Sequence, residues 1–497
     1  MRATSGNAKT GLIVVLVGGT IVGSCSGTAR RPAETRPPNV ILISLDTLRA
    51  DRLNTHGYDR HPTSPLIDAL GRDGIVHEAH IASSPWTIPS HLSLLTSLHP
   101  AAHGAIRGVG HLVLGEDVAH FERLGAAHVT LGEALADAGY RTAAFTGGVT
   151  LDPRIGFDQG FELYTTNMGK ISAAQMGPML RWLAAEPGRP FFLFWHSFEV
   201  HAPYTRGRFL PASLSGLRKD LEGLTRELAD EAVFASRWRG DDLMTDLLVR
   251  HGVDNAETWS DLYDGGIAAA DFWVGRLVAY LLDHDLYDST MIVLTSDHGE
   301  ELADHDPETF RGWHGHSVYE ELLWVPLVVK LPGSEHAGLR IDAVTSGVDV
   351  MPTVLDVAGV EGPRARMQGK SLVGLWTGAR EADRVAFSEA AAYAEEFKSV
   401  RGPRFKLVFE IGPETVARHG RAFAPRVPAR RLLFDLSVDP REQRNLLAGT
   451  PSRRAEFLAA DLETKLRAFV TAEPGEVEEI TLDEEALERL RAMGYIP

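Results

Sequence analysis

The stretch Val40 to Leu45 is continuously apolar and rich in β-branched residues, the pattern of a strand covered on both faces. Similar runs recur at Arg141 to Phe145, Pro190 to Trp195, Met291 to Thr295 and Val325 to Leu331. Between them, Leu66 to Arg72, Val129 to Ala138 and Ile267 to Leu282 carry apolar residues at helical spacing. Strands alternating with helices predict an α/β fold, a doubly wound and mostly parallel sheet with helices on both faces. Beyond about Gly378 the pattern shortens. Val385 to Ser388, Phe397 to Val400, Phe405 to Glu410 and Arg431 to Leu436 read as alternating strands. They predict a small C-terminal antiparallel α+β subdomain over residues 379–497, closed by an amphipathic helix from Leu482 to its stop at Gly494. Pro211 to Asn255 is polar, rich in Leu and Arg and helical in pattern. It reads as an insertion lying over the site of a catalytic domain spanning 39–378.

The N-terminus has a different pattern. Arg2 and Lys9 precede an apolar run from Gly11 to Gly23, too short to span a bilayer comfortably and shaped like a signal-peptide core. Val22-Gly23-Ser24-Cys25 follows and resembles the lipobox of bacterial lipoproteins, which implies that Cys25 carries the lipid and begins the mature chain. Residues 1–25 are then a lipoprotein signal, and 26–38, rich in Pro, Arg, Thr and Ala, a flexible tether. The expected location is outside the cytoplasm, lipid-anchored to the bacterial cell envelope. Cys25 is the one cysteine among 497 residues, so no intrachain disulfide is available. The net charge of −17 argues against a nucleic-acid partner, which needs a basic stripe. It does not argue against an anionic substrate, because a bound cation supplies positive charge locally.

In open α/β sheets ligands bind at the carboxyl ends of the strands, so chemistry is expected there. Asp46 immediately follows the first buried run, and Asp297-His298 follows Met291 to Thr295. Buried carboxylates are costly unless a cation pairs them, and carboxylate with imidazole suits a divalent metal. Either Asp alone reads better as a helix cap, and it is their combination with Asp-His-Gly and the next motif that reverses this. In Ser84-Pro85-Trp86-Thr87-Ile88-Pro89-Ser90-His91, Pro89 marks a helix start and puts Thr87 at or near its N-terminus. A hydroxyl held there faces the positive end of the helix dipole, and against a metal it becomes a nucleophile aimed at an anion.

The motifs NVILISLDTLRAD, TIPSHLSLLTSLHPAAHG, GYRTAAFTGG, SDHGEE, HGHSVYEELLWVPLVVKLPG, VDVMPTVLDVAGV with GKSL, and LLFDLSVDPREQRNL occur in an order that resembles the sulfatase family of the alkaline phosphatase superfamily. The resemblance runs from about Asn39 to Leu446 and implies cleavage of sulfuric or phosphoric esters at a metal-bound nucleophile. It implies Asp46, Asp297 and His298 as metal ligands, with Thr87 as nucleophile and further ligand. It places His316 at the substrate oxyanion or leaving group, His201 near the leaving-group oxygen, and His91 where sulfatases carry an Arg that braces the nucleophile. The chain departs from the family at three points. Thr87 replaces the Cys or Ser that becomes formylglycine, and oxidising a threonine would give a ketone, so that cofactor is not expected. Asp46-Thr47 replaces a pair of Asp residues. Thr146-Gly147-Gly148-Val149 lacks the Lys and His of a sulfate clamp.

A Thr nucleophile resembles the phosphodiesterases and phosphoethanolamine transferases of the superfamily. That favours zinc or manganese, with calcium as the alternative, and phosphoester cleavage. Glu199, His201, Asp264 and His316 are candidate ligands for a second metal. The expected substrate is a sulfated or phosphorylated small molecule, glycan or lipid. Two other readings are a phospho-alcohol transferase acting on envelope glycan or lipid and a non-catalytic binding protein. Such transferases often carry several membrane helices, which weighs against the first. Retention of the nucleophile with its ligands weighs against the second.

Overall fold

The computed structural model describes residues 36–105, 120–148, 150–167, 172–228, 242–305, 311–391, 396–411, 430–470 and 477–481. The expected signal segment with Cys25, most of the expected tether, part of the expected insertion (229–241) and the expected helix from Leu482 to Gly494 lie outside the described residues.

The central sheet has nine strands. In chain order they are β1 (Asn39–Leu45), β2 (Ile75–Ile81), β3 (Arg141–Gly147), β4 (Leu163–Asn167), β5 (Phe191–Ser197), β6 (Thr290–Thr295), β7 (Trp324–Lys330), β8 (Leu339–Ile341) and β9 (Thr345–Ser346). Their spatial order is β8-β2-β7-β6-β1-β5-β3-β4, with β9 also paired to β2. The segment from β6 to β4 is parallel throughout. Only β7 runs against both of its neighbours. Pro326 has no N–H to give the ladder, and the register of β7 on β2 shifts between Val325 and Leu327. Every residue of β1, β3, β5 and β6 is buried, as strands covered on both faces require.

Two helix groups cover the sheet. One contains α1 (Pro65–Arg72), α4 (Ser172–Ala184) and the long α7 (Ala256–Asp283). The other contains α2 (Thr87–Thr96), α3 (Leu131–Asp137) and α8 (Val350–Ala358). Local chemistry fixes the starts. Thr130 Oγ1 accepts from Glu133 N while Glu133 Oε2 accepts from Thr130 N, a reciprocal cap for α3. Asn255 caps α7, and Gly359, at φ +68°, ends α8 in the left-handed conformation. Helix α7 is long and apolar enough to cross a membrane, but half of its apolar window is buried inside the protein, as in a core helix. The insertion is helical where described, in α5 (Ser215–Glu227) and α6 (Asp242–Arg250).

The C-terminal strands β10 (Ala386–Ala390), β11 (Glu396–Arg401), β12 (Phe405–Ile411) and β13 (Arg430–Asp435) form an antiparallel sheet in sequential order. One face packs against α9 (Arg453–Val470) through Val400, Leu407, Leu433, Ala459 and Leu466. The other shares a core with the main sheet, where Phe397, Val408 and Phe434 meet Ile81 and Val325. Residues 37–497 accordingly form one compact unit.

Candidate active site

Strands β1 and β6 are parallel neighbours with Ser44 opposite Thr295. Two residues past each lie Asp46 and Asp297, so register alone brings both carboxylates to the same edge. The turn after β1 is tight: Asp46 N donates to Ser197 O (3.0 Å), Thr47 N donates to Asp297 Oδ1 (3.3 Å), and Thr47 takes a φ of +61°. That conformation is uncommon for a β-branched residue and marks local strain. Thr87 is the first residue of α2, with Trp86 as the extended residue before it. Ser90 Oγ donates to Asp297 O (2.6 Å) and ties the helix start to the β6 loop.

Thr87, Asp46, Asp297 and His298 are all fully buried, and they converge. Thr87 Oγ1 lies 3.2 Å from His298 Nε2, which is 3.3 Å from Asp297 Oδ2 and 3.9 Å from Asp46 Oδ1. His298 Nδ1 is 2.8 Å from Gly299 O and must donate to it, so Nε2 of the neutral ring is a lone-pair nitrogen turned toward two carboxylates. Asp297 Oδ2 accepts no hydrogen bond among the described residues. Ligand atoms of Asp46, Asp297 and His298 lie within 4.8 Å of one another. Two buried negative charges, a lone pair and a hydroxyl fit a divalent cation, and carboxylate with imidazole suits zinc or manganese.

His91, His196 and Asp297 are a second such group, but both imidazoles are fully engaged. His91 Nδ1 donates to Thr87 O (2.9 Å) and Nε2 accepts from Ser44 Oγ (2.9 Å). His196 Nδ1 accepts from Gly147 N (3.3 Å), so Nε2 donates to Asp46 Oδ2 (3.0 Å). Burial pushes His91 down to about 3 and His196 down to about 4, which keeps both neutral. They orient Thr87 and Asp46 and leave the carboxylate charge uncompensated.

Around this cluster, His201 stacks on Phe198 (centroids 4.0 Å apart), with its Nδ1 2.7 Å from Ala202 O. His314 lies with its ring 4.4 Å from that of His298 and 5.2 Å from that of His201. Its Nδ1 meets Glu300 Oε1 (2.8 Å), and Tyr204 donates to Glu300 Oε2 (2.7 Å). In the HGHS stretch it is therefore His314 that makes these ring contacts. His316 sits beside it, and burial, with His314 next to it, pushes His316 down to about 4. Two candidates for a second metal have other partners. Glu199 is bound by Arg206 (2.8 Å) and Ser172 N (3.3 Å), and Asp264 by Tyr58 and, at 3.6 Å, Arg52. Sequence reasoning passed over His196 and His314. The usable signal for His196 was its place at the carboxyl end of FFLFWHS, the same position that singled out Asp46.

Residues 310–415 match the C-terminal family of N-sulphoglucosamine sulphohydrolase. Steryl-sulfatase of Mus musculus is 28% identical, over 86% of this chain and 81% of its own. A multifunctional alkaline phosphatase superfamily protein of Trinickia caryophylli is 26% identical, over 84% of this chain and 92% of its own. Among solved structures, a protein bound to its substrate D-glucosamine-2-N,6-O-disulfate superposes with a TM-score of 0.67 at 20% identity, covering 88% of this chain and 99% of that one. The phosphonate monoester hydrolase of Agrobacterium radiobacter gives a TM-score of 0.60 at 22% identity, covering 90% and 100%. The sulfatase family itself matches residues 38–360, well over half of the chain, and the protein belongs to that family as one of its ester hydrolases.

Proposed function

We propose that this hydrolase cleaves phosphoric esters in preference to sulfuric esters, with Thr87 as the nucleophile and a divalent cation, zinc or manganese, held by Asp46, Thr87, Asp297 and His298. The observation that carries this reading is the 3.2 Å approach of Thr87 Oγ1 to His298 Nε2 within the buried carboxylate pair. Threonine has no oxidised form equivalent to an aldehyde hydrate, so the hydroxyl itself has to attack. Phosphorus accepts that attack in line. The O–P bond to Thr87 forms as the bond to the leaving oxygen breaks, and water later releases phosphate from Thr87. His91 fixes the backbone carbonyl of the nucleophile, and the start of α2 presents its positive end to the incoming anion. His201 and His316, with His314 between them and His298, are the proposed hydrogen-bond donors to the leaving and non-bridging oxygens. The cation, when bound, supplies Lewis-acid stabilisation of the developing charge.

The substrate is proposed to be a phosphorylated or sulfated small molecule, glycan or lipid. The steryl-sulfatase relative and the phosphonate monoester hydrolase neighbour support that range. Export and lipid anchoring through Cys25 complete the proposal. Cys25→Ala is expected to move the protein from the membrane to the soluble fraction and to abolish labelling by a radioactive fatty acid. Unchanged labelling would remove the anchor.

The decisive assay loads the purified protein with zinc, manganese or calcium and offers aryl phosphate, bis-aryl phosphate and aryl sulfate. A phosphoester is expected to turn over fastest, with zinc or manganese, and Thr87→Ala to lose about 10³-fold or more. Faster turnover of aryl sulfate would overturn the preference for phosphorus. Activity retained by Thr87→Ala would overturn the nucleophile.

A further inference from the structure

Glu301, His305 and Glu321 form a group apart from the residues of the site above. Their ligand atoms lie within 4.8 Å of one another. Both carboxyl side chains are buried, 1% exposed for Glu301 and 4% for Glu321. Glu301 Oε1 accepts the backbone N–H groups of Asp304 and His305, which leaves Oε2 facing the group, 3.9 Å from His305 Nδ1. Glu321 Oε1 stands 2.7 Å from the same Nδ1, yet neither atom makes a hydrogen bond, because the ring N–H direction misses the oxygen. Tyr319 stacks on the His305 ring at 3.9 Å and fixes its plane.

One fixed cation, Arg49, is near enough to act on Glu321, but its guanidinium is committed elsewhere. Arg49 is already bound to Asp51, to Asp304 and to Glu300 O. Two facing buried carboxyl groups without a cation must hold a proton between them. Burial and the facing Glu321 accordingly push Glu301 up to about 8, and burial pushes Glu321 up to about 7. A divalent ion replaces that proton and gives both carboxylates and His305 Nδ1 a common partner.

We infer that Glu301, His305 and Glu321 form a second divalent-cation site, separate from the Asp46 cluster, which takes zinc or manganese and ties the catalytic loop to the segment after Tyr319. One imidazole and two carboxylates match zinc ligation, with a fourth position open to water. The tie is mechanical. Gly299 N and Glu300 N already donate to Leu322 O and Glu321 O, so an ion here clamps the loop carrying Asp297 and His298 to a second stretch of chain. The inference does not depend on the role of Thr87.

The test uses the full chain, stripped by chelator and titrated with cobalt(II), with stoichiometry read from visible absorption and then from atomic emission after zinc loading. Wild type is expected to hold two equivalents. Asp297→Asn is expected to hold one, and so are Glu321→Gln and His305→Gln. His305, at 19% exposure against 4% for Glu321, is the less buried of the two, and its variant is the folding control for Glu321→Gln. Asp297→Asn combined with His305→Gln is expected to hold none. An Asp297→Asn protein that binds no cobalt, or a His305→Gln protein that keeps the wild-type stoichiometry, would overturn the inference and leave an ordinary His–Glu ion pair. If His305→Gln alone abolishes one equivalent while Asp297→Asn changes nothing, the second site stands and the proposed catalytic centre falls.

Discussion

His196 has both ring nitrogens engaged, and its donation to Asp46 Oδ2 is what holds that carboxylate in place. Replacing it with Ala leaves a fully buried carboxylate oxygen without its donor. Partners of this kind typically tune metal affinity by 10–100-fold, so His196→Ala is expected to weaken zinc binding by about that factor, measured by competition with a chromophoric chelator. Unchanged affinity would mean that Asp46 is not a ligand. Much of this site was legible in the sequence, for a physical reason: Asp46 and Asp297 each end a continuous buried run, and Thr87 precedes a proline that starts a helix. Register then does the rest. The histidines were harder. Within HGHSVYEE, spacing says nothing about which imidazole turns inward, and a local turn selects His314 for the contact with His298. His196 was hidden because a histidine inside an otherwise apolar strand reads as a packed residue.

At the scale of elements, α1 and α7 are joined by a polar contact as well as by packing. Asp271 Oδ1, on α7, accepts from Leu66 N (2.9 Å) and Ile67 N (2.8 Å) in the first turn of α1. Burial nevertheless pushes Asp271 up to about 7. Its folded value then exceeds its unfolded value, so its contribution is full below about pH 4 and is lost as pH rises through 7. Asp271→Asn keeps the accepting oxygen without the charge. It is expected to match wild type in denaturant melts below pH 4 and to exceed it by roughly 2–4 kcal/mol near pH 8. Asp271→Ala strands two helix N–H groups and is expected to cost about 1–3 kcal/mol below pH 4, where the wild-type side chain carries no charge. Long buried strands were the readable elements. Strand β2, Ile75–Ile81, was not predicted, because IVHEAHI interleaves His and Glu with its apolar residues and its pairing with β7, β8 and β9 is what reveals it. The reversed direction of β7 is likewise a property of connectivity, which periodicity does not carry.

For the whole molecule, residues 37–497 form one compact unit in which the C-terminal sheet shares its core with the central one. A chain beginning at Pro37 is therefore expected to melt as a single transition at the temperature of the full chain, followed by scanning calorimetry. Two separate transitions would show that the sheet of β10 to β13 folds independently. Chelation is expected to lower that transition, and zinc at about 100 times its dissociation constant to restore roughly 2.7 kcal/mol.

The adjacency of β1 and β6 has a consequence for timing. Thr47 and Asp297 are in contact although 250 residues separate them along the chain. Asp297 and His298 are adjacent in the chain, but Thr87 stands 211 residues from His298, so the complete cluster closes only through a long loop. A cation therefore meets only the Asp297-His298 pair, and no complete site, until the sheet has assembled across that gap. Zinc is expected to leave the refolding rate unchanged and to express its whole effect as slower unfolding, read from the two limbs of a chevron plot. Metal-accelerated refolding would mean that the carboxylates meet before the strands that carry them.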